Sequence, residues 1–248
     1  MQQSVTKHKS NKCFNLRNYL GLVLIIVFIF VVIIGIVIAG SIKSKSYEFI
    51  SGKTFYYYYT NIESSLNRAK SLADSQKSAG GAGFVFEENN KFYVCAFLYD
   101  KMEDAKIVID QNKAAYPDGG VITKNTQKLT NKAQKLIKND EYLISAVHLY
   151  EDCFNAFYDL AIECDKNNLS EAEVFSKVFV YYEKIVDVCG KFDNINSPVS
   201  INLDSLLTSV KEYLSQTKTS TERSYKLKLL CFEIIDKYNQ LAGYLNLC

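Results

Sequence analysis

Tryptophan is absent, histidine occurs only at His8 and His148, and proline only at Pro117 and Pro198. The shortage of histidine removes most acid–base and metal chemistry at the outset. A Ser-His-Asp or Cys-His site would have to use His148, which sits in the helical pattern Ala146-Val147-His148-Leu149-Tyr150 with no nucleophile-elbow motif beside it. No H-E-x-x-H, P-loop or G-x-G-x-x-G pattern occurs. No paired-carboxylate or zinc-ligand constellation stands out, so a wall-type hydrolase is the weakest of the functional readings. The chain reads as a non-enzyme with no cofactor and no metal. A net charge of +2 carries no message for nucleic acid. The seven cysteines (Cys13, Cys95, Cys153, Cys164, Cys189, Cys231, Cys248) are odd in number and match no C-x-x-C spacing. Four of them, Cys153, Cys164, Cys189 and Cys231, fall among apolar helix positions, where a free thiol acts as a small buried hydrophobe. In an extracytoplasmic domain disulfides between helices are the alternative. Lys, Asn and Tyr are abundant, which resembles the usage of an AT-rich bacterial genome.

The chain does contain one long apolar run. Leu20 to Ile42 carries no charge and no proline. A helix crosses a bilayer core of about 30 Å with roughly 20 apolar residues, and a water-soluble helix has no reason to be apolar on every face. Residues 19–42 are therefore expected to be a single transmembrane helix. A cleaved signal peptide would have a shorter core of about 7–15 residues; Ala39-Gly40-Ser41 is a weak cleavage signal, and an uncleaved anchor fits better. Lys7, Lys9, Lys12 and Arg17 precede the run without an acid among them, against Lys43, Lys45, Glu48 and Lys53 after it. That bias places residues 1–18 as a cytoplasmic basic tail and the rest outside the cell membrane. Cys13, just before the anchor, would be a palmitoylation site in a eukaryote and is otherwise an idle thiol.

Residues 43–53 read as a linker. From Thr54 the signals alternate. The aromatic, β-branched run Thr54 to Thr60 suits a strand. Asn61 to Ser78 has helical spacing, with Asn61 as its cap and Gly80-Gly81 as its stop. Ala82 to Glu87 and Lys91 to Tyr99 are strands joined by the tight turn Asn89-Asn90. Asp100 to Ala115 is a second helix, Pro117-Asp118-Gly119-Gly120 a turn, and Val121 to Thr123 a last strand. The order β-α-β-β-α-β is the split βαβ, ferredoxin-like arrangement, with two helices on one face of the sheet.

These residues resemble a SPOR (sporulation-related repeat) domain over about 54–125. The correspondence runs through the aromatic strand Phe55 to Thr60, Ile62, the helix around Ala69, the turn Gly80-Gly81-Ala82-Gly83-Phe84, the strand Phe92 to Tyr99, and Glu103-Asp104-Ala105 in the second helix. It departs from the pattern at Thr60 and Phe97, where that family favours glycine, at Ile62 in place of phenylalanine, and at Tyr58 in place of glutamine. The resemblance implies binding of peptidoglycan glycan strands at division or sporulation septa of the cell envelope. Side chains alternate faces along a strand. With Tyr57, Tyr59, Val94 and Ala96 towards the helices, Tyr56, Tyr58, Tyr93, Cys95 and Phe97 form an open aromatic face, the expected glycan-binding site. A slip of one residue exchanges the two sets. If the C-terminal half covers this face instead, these side chains are plain core.

Residues 126–248 are helical throughout and read as an antiparallel α-helical bundle. Thr126 to Asp165 forms one long helix or two broken near Asn139-Asp140. Ser170-Glu171-Ala172-Glu173 is a capping box opening a helix that ends at Gly190. Asn194 to Ser200 is a loop, and Leu203 to Gln216 and Thr221 to Leu245 are two more helices. Tyr142, Tyr150, Phe154, Phe157, Tyr158, Phe175, Phe179, Tyr181 and Tyr182 are assigned to the bundle core. The expected fold class is thus α+β. The leading function is a membrane-anchored, non-enzymatic peptidoglycan-binding protein. The alternative is a membrane-anchored scaffold whose sheet packs on the bundle and whose partner is another envelope protein, favoured if Tyr56, Tyr58 and Tyr93 are buried.

Overall fold

A computed structural model describes residues 51–192, 197–217 and 219–248. The basic tail and the apolar run 19–42 lie outside the described residues, and among the described residues no helix is long and apolar enough to cross a membrane. The described chain is α+β, with seven helices and one four-stranded antiparallel sheet. In chain order the elements are β1 (Thr54–Glu63), α1 (Leu66–Ser78), β2 (Phe84–Glu88), β3 (Lys91–Tyr99), α2 (Met102–Asn112), β4 (Gly120–Asn125), α3 (Asn131–Lys138), α4 (Glu141–Asp165), α5 (Glu171–Gly190), α6 (Pro198–Gln216) and α7 (Ser220–Leu247).

The sheet runs β2-β3-β1-β4, every neighbouring pair antiparallel. That order follows from local chemistry. The β2–β3 hairpin turns on Asn89 and Asn90, both in the left-handed region at φ 53° and 59°, the backbone that a two-residue turn matched to strand twist requires. The turn into β2 uses Gly83 at φ 59°, where a side chain would run into the Ala73 carbonyl of α1. The first strand continues past the expected Thr60 to Glu63. Asn61 is therefore a strand residue, not a helix cap, and Ser65 precedes α1 instead.

The C-terminal helices begin where side chains satisfy their free N–H groups. Asp140 accepts from the backbone of Tyr142 and Leu143, which separates α3 from α4 at the expected break. Ser170 and Glu173 close a reciprocal capping box on α5, and Thr219 and Glu222 do the same on α7. Pro198 is the first residue of α6, capped by Ser197, rather than part of a loop. Proline suits that position because its missing N–H would have been unpaired there anyway.

Two layers of helices enclose the sheet. On one side Ala69 and Ala73 of α1 pack with Val94, Val85 and Phe92. On the other, Phe55, Tyr57, Cys95 and Phe97 belong to a single core with the inward residues of the five C-terminal helices, among them Tyr150, Phe154, Phe157, Phe232 and Tyr238. Residues 54–125 and 126–248 therefore share one continuous core.

Candidate interaction surface

The face expected to be open is closed by α4 and α7. Phe55 meets Phe154 edge-on with ring centroids 5.0 Å apart, Tyr57 meets Phe232 at 4.9 Å, Phe84 stacks on Phe232 at 4.4 Å, and Phe97 stacks on Tyr158 at 5.3 Å. A polar latch adds to this seam. The Lys228 ammonium donates to the Gly80 carbonyl at 2.8 Å and pairs with Asp165 at 2.7 Å, and the Ser224 hydroxyl donates to Asp165 at 2.6 Å.

The five residues assigned to a glycan site are dispersed. Cys95 is 0% and Phe97 4% exposed, both beneath the bundle. Tyr93 is half-buried against Tyr59 and Phe86 on the same side. Tyr56 and Tyr58 are not on that face at all. Phe55 and Tyr57 touch the bundle, so alternation sends Tyr56 and Tyr58 to the α1–α2 side, where Tyr58 is 4% exposed. The pairing of faces departs from the expected one at a local irregularity, where β1 and β3 change register between Tyr58 and Tyr59 and again between Tyr59 and Asn61. Such irregularities turn a strand's side chains over. Val94 lies towards α1 as expected, whereas Tyr57 and Tyr59 lie opposite it.

What remains of the aromatic face is a cleft of about 160 Å³ between the sheet and α7, lined by Phe55, Tyr57, Phe84, Phe86 and Phe232. That is below the roughly 300–1,000 Å³ of a small-molecule pocket. Lys124 crosses it, its ammonium 4.6 Å from the Phe86 ring centre and paired with Glu88. Burial pushes the Tyr57 phenol and the Cys95 thiol upward, so neither ionises to act as a base or nucleophile near neutral pH. His148 lies 3.7 Å from Glu151 on α4. Among the described residues no group of three His, Cys, Asp or Glu is placed to hold a metal ion.

The surface that does present aromatics is the outer side of α5. Val174, Val178, Ile185, Val188 and Cys189 fill the core. A second apolar stripe runs beside them: Phe175 is 47%, Phe179 42% and Val186 43% exposed, with Tyr182 half-buried. Their rings form a ladder, Phe175 on Phe179 at 6.4 Å and 10°, Phe179 on Tyr182 at 5.8 Å and 27°. Phe175 and Phe179 were expected in the core and are exposed, while Tyr182 packs against it; the helix has too many apolar positions for one face to bury them all. The discriminating signal was present in the sequence as two interleaved sets of apolar residues on one helix. On the far flank of the stripe the wheel of α5 places Ala172, Ser176, Glu183, Asp187 and Gly190, all exposed. No protein-family model, curated protein or solved structure matches the chain.

Proposed function

We propose that this chain is a membrane-anchored, non-enzymatic scaffold that docks an amphipathic helix of another envelope protein on the outer side of α5. The apolar run 19–42 supplies the anchor, with the basic tail cytoplasmic and the folded part outside. The observation that carries the reading is the exposed ladder Phe175, Phe179, Tyr182 and Val186, set against an aromatic sheet face already occupied by the chain's own bundle. Spacings of four, three and four residues are those of a coiled-coil seam, in which knobs from a second helix enter holes on the first. The stripe extends about 16 Å along the helix. The β-α-β-β-α-β order describes the scaffold's sheet; in this reading the sheet serves as the seat of the bundle and not as a glycan reader.

The test is site-specific photo-crosslinking of the full-length chain in cells of its source. A benzophenone side chain is placed at Phe175, Phe179 or, as control, Lys177. A discrete adduct of another protein from the first two positions and not from Lys177 is expected. No adduct overturns the reading, and an adduct at twice the chain's own mass converts it to self-association. In parallel, the full chain is incubated with intact sacculi and with sacculi stripped of stem peptides. Binding that rises on stripped glycan and falls in Tyr93→Ala would restore the glycan-binding function.

A further inference from the structure

Between α4 and α5, on the flank of α5 away from the Phe175–Phe179 ladder, lies a cleft that a helix docked on that ladder leaves free. Its volume is about 340 Å³, within the roughly 300–1,000 Å³ of small-molecule sites. Both walls are helical, which fixes its shape. Ala156, Asp159, Leu160 and Glu163 recur at helical spacing on one face of α4, and Lys177, Val180 and Tyr181 face them from α5. Leu169 adds an apolar side chain from the turn that joins the two helices. That turn is held in place. Asn168 donates to the Glu163 carboxylate at 2.8 Å, and the capping box of Ser170 and Glu173 follows it. Tyr181 stands edge-on to Phe157 at 5.7 Å, with the Lys184 ammonium 4.4 Å from its ring centre.

The lining is apolar at its floor and carries charge of both signs at its rim. Leu160 is 4% exposed and belongs to the core, whereas Val180 is 47% exposed, an apolar side chain left without cover. Of the rim charges, Glu163 is engaged by Lys166 at 3.1 Å and by Asn168. Asp159 on α4 and Lys177 on α5 form no ion pair and no hydrogen bond among the described residues. A carboxylate on one wall and an ammonium on the other, above an apolar floor, complement a zwitterion with an apolar body. Its ammonium meets Asp159, its carboxylate meets Lys177, and its side chain covers Leu160, Val180 and Tyr181. A purely apolar guest would use neither charge, and a guest of single charge would meet a charge of its own sign.

We infer that this cleft binds a free α-amino acid with an aliphatic or aromatic side chain. The site needs neither the membrane anchor nor the helix docked on α5. A ligand of about a dozen non-hydrogen atoms in a half-open cleft should bind with a Kd of about 0.1–2 mM.

The experiment is equilibrium dialysis of the full-length protein in detergent micelles against tritiated L-phenylalanine up to about 10 mM, past that Kd, with empty micelles as the blank. Saturable uptake is expected, and L-leucine should displace it. The analogues 3-phenylpropionate and 2-phenylethylamine each lack one charge and should compete about fivefold less well, the worth of one exposed ion pair. Asp159→Asn should weaken L-phenylalanine about fivefold without weakening 3-phenylpropionate, and Lys177→Gln should weaken it as much without weakening 2-phenylethylamine. Both residues are exposed, so neither substitution touches the core. Val180→Trp, which fills the cleft from an exposed position, should abolish uptake. Uptake no greater than that of empty micelles overturns the inference, and so does uptake that both charge substitutions leave unchanged. Tighter binding of 2-phenylethylamine than of L-phenylalanine overturns it as well, since the cleft would then select a cation.

Discussion

Phe232→Ala tests most directly whether the sheet and the bundle are one body. Phe232 is 1% exposed and stands between the layers, edge-on to Tyr57 at 4.9 Å and stacked on Phe84 at 4.4 Å. Truncating a buried phenylalanine costs about 3–5 kcal/mol, the sum of lost transfer energy and an unfilled cavity. For a chain of this size each kcal/mol lowers Tm by about 2–4 °C, so the expected fall is roughly 6–20 °C. The assay is thermal unfolding of the full chain in detergent, followed in parallel by far-ultraviolet dichroism, dominated by the helices, and by near-ultraviolet dichroism, dominated by the tyrosines. A single transition that moves in both signals is expected, because both halves draw on one core. The argument is refuted if the two signals separate with the helical one unmoved, or if the loss is under about 1 kcal/mol. Either result would mean that the bundle lifts off readily and that the aromatic face is accessible after all. Phe179→Ala provides the contrast: at 42% exposure it should stay within about 0.5 kcal/mol of the parent.

Three further outcomes follow from the same structure. Lys228→Met removes the charge that spans Gly80 and Asp165; with Asp165 half-exposed, the loss should be about 1.5–3 kcal/mol, read as a lower denaturant midpoint with an unchanged slope. Ser170→Ala and Thr219→Ala each delete one arm of a capping box and should each cost about 1 kcal/mol; a loss shared equally by a distant surface serine would discount the caps. A thiol reagent at neutral pH should modify Cys248, which is exposed, and spare Cys95, Cys153, Cys189 and Cys231, which are buried. Burial also holds the Cys95, Cys153 and Cys231 thiols protonated far above neutral pH, and the thiolate is the reactive form. These thiols should open only with global unfolding, and rapid native labelling of any of them would contradict the packing.

Secondary structure was legible where one side chain decides the backbone. Asn89-Asn90 fixes a hairpin because both residues tolerate positive φ, and Ser170 with Glu173 starts α5 through two reciprocal hydrogen bonds. Asp140 divides α3 from α4 in the same way. The errors lie where a local preference competes with tertiary pairing. Asn61 has a cap's chemistry, yet it sits in β1 opposite Val94, because Ile62 and Glu63 continue the ladder to Tyr93 and Phe92. Pro198 ends many helices but begins this one, since Ser197 in front of it supplies the cap.

The site was less legible for a reason that concerns function. Alternation in a strand tells which residues share a face, but it gives neither the continuity of that pattern through a register shift nor what lies against the face. The shifts at Tyr58–Tyr59 and Tyr59–Asn61 lie between Tyr58 and Tyr93, and Cys95 and Phe97 join the bundle core whereas Tyr56 and Tyr58 do not, so the five never form one surface. The bundle then takes the second set into its core. Topology alone therefore carries little about activity here, since a binding function resides in an exposed constellation and not in a strand order. A sheet so rich in tyrosine and phenylalanine needs apolar cover, and in this chain the cover is covalent. Aromatics exposed elsewhere then gain weight, because the bundle that shields Tyr57 and Phe97 leaves Phe175 and Phe179 stacked in solvent. Val174, Val178, Ile185 and Val188 already seat α5 in the bundle core. Phe175, Phe179 and Val186 of the second stripe stay exposed, and the stripe's four-three-four spacing matches a second helix better than it matches a sugar chain.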